Sequence, residues 1–212
     1  MFFNGNKIWE TYGFLRDNEG KNIETCGYMV NNNTLNQIEK CGQYEQKFEI
    51  SQIPGELTPI VCGVAGHDGK PYCVYTLPYG SIIWHTHPMG SKSYPSNSDI
   101  IKGLKPRGEK CQVIESILIC EWGIWEWSAT KKENWKEDKL EQLKTKLTSS
   151  FDKIYFATNG GKGELTDKGR DVINIVISKL TQTLSGLKFQ IYFTSWEEMK
   201  QQHFPYYTLK IN

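Results

Sequence analysis

The stretch His85-Thr86-His87-Pro88, followed after seven residues by Ser96-Asn97-Ser98-Asp99, constrains the fold more than any other part of this 212-residue chain. Residues i and i+2 of a strand share a face, so two histidines flanking Thr86 can reach one ion. Pro88 stops the strand because it has no N–H to give to a ladder. Ser96 with Asp99 three residues on, just before Ile100 and Ile101, is the pattern of a helix N-terminus with a serine cap and an acid in the first turn. A strand, a stop, a loop containing Gly90 and Pro95, and a capped helix therefore follow one another. That order returns Asp99 toward the histidines. Two imidazoles and a carboxylate leave the fourth tetrahedral position of a zinc ion open, which is the catalytic rather than the structural arrangement.

His-x-His-Pro, seven residues, then Ser-x-x-Asp resembles the signature of the JAMM (MPN+, or JAB) zinc metalloproteases in every fixed position and in the length of the gap. The family pattern adds an upstream Glu-x-x-Gly, which Glu24-Thr25-Cys26-Gly27 matches. Glu45, Glu49 and Glu56 lie in the same region without that setting. The wording around Glu24 is similar to the AMSH branch of deubiquitinases and also to bacterial and phage-tail JAB peptidases. The second zinc insertion of AMSH proteins is not recognisable here.

The resemblance implies a catalytic zinc held by His85, His87 and Asp99, which acidifies a water and polarises the scissile carbonyl. It gives Glu24 the role of general base and then general acid, and Ser96 that of hydrogen-bond donor to the oxyanion. The implied reaction is hydrolysis of an isopeptide or peptide bond. The implied partner is a ubiquitin or ubiquitin-like conjugate. Peptide or cell-wall substrates of a JAB-type peptidase, or a non-catalytic MPN scaffold, are the alternatives.

The fold this implies is the MPN (cytidine-deaminase-like) fold, an α/β (α+β) domain with a curved, mostly antiparallel sheet and flanking helices. Residues 1–130 are expected to form the JAMM core and residues 131–212 a C-terminal extension of helices with one strand, packed on the core and open to a partner protein. Within the core, the residue pattern predicts strands over 26–30, 60–66, 81–87, 116–120 and 123–128, and a helix over 99–104. A short helix fits within 5–21. Further strands are expected over 35–41, 48–53 and 72–77, with turns at Asn31-Asn32-Asn33 and Asp68-Gly69-Lys70-Pro71.

In the extension, Leu140, Leu143, Leu147 and Phe151 recur at helical spacing, as do Val172, Val176, Leu180 and Leu184 after Thr166-Asp167. Leu187, Phe189, Ile191 and Phe193 alternate as a strand, and Ser195-Trp196-Glu197-Glu198 reads as a capping box. Asn159-Gly160-Gly161-Lys162-Gly163 lacks the Lys-Ser/Thr ending of a phosphate loop and reads as a flexible turn. Trp84, directly before His85 on the strand, is expected to face away from both histidines into the core. Trp122, Trp125 and Trp127 pack sheet against helix or, alternatively, line a substrate groove.

A formal charge of +1 carries no field for nucleic acid or an anionic membrane surface. Hydrophobic residues make up 38% of the chain, and no apolar run approaches a membrane span. Met1-Phe2-Phe3-Asn4-Gly5-Asn6-Lys7 turns polar at once, unlike a secretory signal, so the expectation is a cytoplasmic protein. Cys26, Cys41, Cys62, Cys73, Cys111 and Cys120 contain no Cys-x-x-Cys pair and are expected to be reduced thiols. A thiol protease would need one of them activated by His67 or His203, and no cysteine has that context.

Overall fold

The computed structural model describes residues 2–4, 12–13, 16–17, 23–29, 60–64, 81–104, 113–130, 136–201 and 206–208. Strands β1 (Phe2–Asn4), β2 (Ile23–Met29), β3 (Ile60–Val64) and β4 (Ser81–Thr86) precede helix α1 (Asn97–Leu104). Strands β5 (Val113–Ile119) and β6 (Gly123–Ala129) follow, then helices α2 (Glu137–Ala157) and α3 (Asp167–Thr183). The chain closes with β7 (Phe189–Ser195), α4 (Trp196–Gln201) and β8 (Tyr206–Thr208).

Six strands form one mixed sheet in the order β3-β2-β4-β5-β6-β7, and β1 pairs with β8 in a separate two-stranded ribbon. Only β4 and β5 are parallel among the sheet's neighbours. A parallel pair cannot be joined by a hairpin, so the chain crosses between them through the loop after Pro88 and α1. The architecture is mixed α/β with a mainly antiparallel sheet. The expected elements at 31–33, 35–41, 48–53, 68–71 and 72–77 lie outside the described residues.

One face of the sheet packs on the helices. Leu118, Trp125, Trp127, Phe189 and Ile191 meet Ile100 and Leu104 of α1, Leu147, Phe151 and Ile154 of α2, and Val176 and Leu180 of α3 in one apolar cluster. On α2 the inward residues are spaced as an amphipathic stripe requires. On α3 the stripe is rotated from its expected position: Ile173 is fully buried, whereas Val172 packs at the margin. Thr166 caps α3 by accepting from Gly169 N–H at 3.2 Å. Trp122, Trp125 and Trp127 are all buried, so they belong to the core and line no groove. Trp84 and Thr86 are also buried, as expected of alternate positions facing away from the histidines.

The C-terminal strand starts two residues later than its alternation suggests. Leu187 ends a 3-10 turn (Ser185–Leu187), and Lys188 adopts a left-handed conformation (φ 51°) that reverses the chain before Phe189. The strand then pairs with β6 from Ala129↔Phe189 to Gly123↔Ser195, so β7 joins the sheet of the preceding segment and α2 and α3 share its apolar cluster. At the end of this pairing a Cβ on Gly123 would lie 2.1 Å from Thr194 O and 2.8 Å from Ser195 Cα. These are backbone atoms that cannot rotate away. Gly123→Ala is expected to destabilise the protein by about 3 kcal/mol, seen in a thermal melt as a fall of roughly 6–12 °C. Ser195 and Glu198 form the expected capping box, with Ser195 N–H donating to Glu198 Oε2 at 2.7 Å and Glu198 N–H to Ser195 Oγ at 3.2 Å.

Candidate metal centre

His85 is the penultimate residue of β4, and His87 extends the strand by donating its N–H to Ile119 O at 3.1 Å. Both are partly exposed, and buried Thr86 separates them. Their rings stand edge to face with centroids 5.3 Å apart. Pro88 then ends the pairing, and the chain turns sharply as Ser91 N–H and its hydroxyl donate to Pro88 O at 3.0 and 2.6 Å. Gly90, at φ 73°, donates its N–H to Glu121 Oε2 at 3.1 Å, which ties the tip of the loop to the β5–β6 connection.

The serine and aspartate predicted to cap a helix do so reciprocally. Asp99 N–H donates to Ser96 Oγ at 3.2 Å, and Ser96 N–H donates to Asp99 Oδ2 at 2.8 Å. Asn97 Nδ2 donates to Thr148 Oγ1 at 2.5 Å, fastening the first turn of α1 to α2. The cap therefore aims Asp99. Its Oδ1 lies 3.6 Å from His85 Nε2, and its Oδ2 lies 3.7 Å from His87 Nε2.

One ligand atom from each of His85, His87 and Asp99 can be chosen with all three within 4.8 Å of one another. Ligands on a tetrahedral ion at ordinary zinc distances are about 3.3–3.5 Å apart, so the imidazole–carboxylate separations need only small adjustment to close on a cation. His85 Nε2 is buried and, among the described residues, has no hydrogen-bond partner. An orphaned ring nitrogen costs stability unless something accepts or binds it, and a cation between it and Asp99 would satisfy it. The donor set and the geometry fit a divalent metal.

His87 has a fixed orientation. Its Nδ1 lies 2.7 Å from Lys92 O. A carbonyl can only accept, so Nδ1 carries a proton, and Nε2 is the ring nitrogen that faces Asp99. Trp127 braces the other ring, with its centroid 6.4 Å from that of His85 at an 86° interplanar angle.

Burial by itself favours the neutral form of Asp99, but the His85 and His87 rings beside it outweigh that effect and hold its carboxyl well below the usual range. The depressed value makes the carboxylate a stabilising group above the unfolded value near 3.9, and its contribution disappears only as pH falls through the lower folded value. Near neutrality it is an anion. Cys120 is the opposite case: complete burial pushes its thiol up to about 12, leaving it inert as a nucleophile.

Glu24 lies within β2 rather than ahead of it. β2 runs antiparallel beside β4, and Cys26 is the register partner of His85. Glu24 thus stands two residues along β2 from the residue opposite His85. The orienting groups gave no signal in the sequence, because Lys92 acts through its main-chain carbonyl and Trp127 differs in no local pattern from the other core tryptophans.

Among the described residues, no helix is long and apolar enough to cross a membrane. Comparison of the chain with protein-family models, with curated proteins and with solved structures yields no match.

Proposed function

We propose that the protein is a zinc-dependent hydrolase of the JAMM (MPN+) type, cleaving an isopeptide bond between a ubiquitin-like C-terminus and a lysine. The observation that carries the reading is the convergence of His85, His87 and Asp99 within 4.8 Å on a strand, a proline-ended loop and a capped helix. Zinc, when bound there, supplies a Lewis acid that activates water and polarises a carbonyl.

The protein's own groups divide the remaining work. Glu24 takes a proton from the attacking water and returns it to the leaving amine. Ser96 Oγ accepts from Asp99 N–H, so its own hydroxyl proton is free to donate to the oxyanion as the tetrahedral intermediate forms. Asp99 holds negative charge at the site, and the Lys92 carbonyl keeps His87 in the tautomer that can ligate. The MPN fold and an intracellular setting belong to the same proposal; the free, buried Cys120 is consistent with a reducing compartment. A scaffold that only binds has no need of a complete ligand set, and this chain retains one.

The test is incubation with ubiquitin and ubiquitin-like conjugates before and after stripping metal with a strong chelator. Cleavage is expected to cease on stripping and return on addition of zinc at about one equivalent. Cleavage that survives removal of the metal rules the proposal out.

A further inference from the structure

We infer that Gly161, in the turn between α2 and α3, is a positioning residue of the metal centre, acting on His87 through the single peptide plane that joins Lys92 to Ser93. The inference rests on the metal-site reading above and extends it to the C-terminal part of the chain.

The Lys92 carbonyl that accepts from His87 Nδ1 at 2.7 Å and the Ser93 N–H that donates to Gly161 O at 2.8 Å belong to one peptide group. In a trans peptide these two bonds point in opposite directions. The plane therefore spans the gap between the Gly161 carbonyl and the ring of a ligand. A hydrogen bond to its N–H also makes its C=O a better acceptor. Shifting Gly161 O tilts the plane, and the Lys92 carbonyl moves with it.

The clamp is built for accuracy. Ser93 is 1% exposed, and its carbonyl accepts from Trp125 Nε1 at 2.9 Å and from Cys120 Sγ at 3.3 Å. The next residue, Tyr94, stacks on Phe151 of α2 with centroids 5.6 Å apart and planes 14° apart. Its ring lies against Gly161 so closely that a Cβ there would fall 2.5 Å from Cε1. Gly161 has φ 82°, a left-handed conformation that glycine adopts without strain. The turn itself is fastened to the end of α2: Thr158 Oγ1 donates to Ile154 O at 2.7 Å and accepts from Gly161 N–H at 3.0 Å. Trp122 Nε1 donates to Gly163 O at 2.6 Å. The glycine-rich segment is a rigid support.

The discriminating experiment compares Gly161→Ala with Gly163→Ala. Both glycines have positive φ, but a Cβ on Gly163 meets nothing within 4 Å, so that variant shares the backbone strain without displacing the turn from Tyr94. Zinc affinity is measured by competition with a chromophoric chelator, and the His87 tautomer in metal-free protein by long-range proton–nitrogen NMR of the ring. Gly161→Ala is expected to weaken zinc binding by about 10- to 100-fold and to lower the share of His87 that carries its proton on Nδ1. Gly163→Ala is expected to lower thermal stability while keeping wild-type affinity and tautomer. If Gly161→Ala does not fold, Thr158→Val, which removes the hydroxyl that accepts from Gly161 N–H, is expected to give the same two changes. Wild-type affinity and tautomer in the folded variant, or equal losses in Gly163→Ala, overturn the inference alone. A wild-type protein that binds no zinc overturns the metal-site reading and this inference together.

Discussion

Asp99→Ala is expected to purify without zinc and to show no turnover above background. Two functions of one side chain are lost together. Oδ2 accepts from Ser96 N–H at 2.8 Å, and Oδ1 faces His85 Nε2 at 3.6 Å. Losing an acid from the first turn of α1 costs about 0.3–1 kcal/mol, which a thermal melt detects but the fold survives. Losing the third ligand leaves only two imidazoles for the ion, below the three protein ligands of catalytic zinc sites.

Asp99→Asn separates the two functions. Its amide oxygen can still accept from Ser96 N–H, so α1 remains capped, but the anion that attracts a cation is gone. Asp99→Asn is therefore expected to melt closer to wild type than Asp99→Ala while sharing its loss of zinc. Elemental analysis of the dialysed proteins reads the outcome. An alanine variant that retains one zinc per chain would remove Asp99 from the ligand set.

The clustering of His85, His87 and Asp99 could be read from sequence because each of its parts is encoded locally. His85 and His87 need only the two-residue period of a strand, Pro88 ends that strand without reference to the rest of the chain, and Ser96 and Asp99 satisfy each other within one turn. The supports of the site are nonlocal. Gly161 reaches Ser93 across 68 residues of chain, and Trp125 reaches it across 32. Neither contact leaves a periodicity at either end.

The same distinction governs the sheet. Alternation along residues 187–193 predicts a strand but says nothing of its neighbour, and pairing with β6 depends on the close approach that Gly123 permits. The rotated stripe of α3 has a related cause. Val172 and Ile173 are interchangeable by hydropathy, and the packing of α3 against its neighbours places Ile173 in the interior and Val172 at the margin. Likewise, three tryptophans in one hairpin favour a core but leave a groove open as the alternative until the helices cover them.

Glu24→Gln is expected to bind zinc with wild-type affinity and to lose turnover by about 10²- to 10⁴-fold. The substitution keeps the shape of the side chain and removes its ability to take a proton. Glu24-Thr25-Cys26-Gly27 supplies the Glu-x-x-Gly setting that Glu45, Glu49 and Glu56 lack, and the register of β2 agrees with that choice. Cys26 is paired with His85, and one strand repeat of two residues separates Glu24 from Cys26. The metal measurement decides the role: loss of zinc together with turnover would make Glu24 a ligand, and unchanged turnover would remove it from the reaction. With zinc retained and hydrolysis blocked, the same variant holds its substrate without cutting it. Mass spectrometry of what remains bound would then distinguish a ubiquitin-like conjugate from an ordinary peptide, because only the former carries the modifier's C-terminus on a lysine side chain.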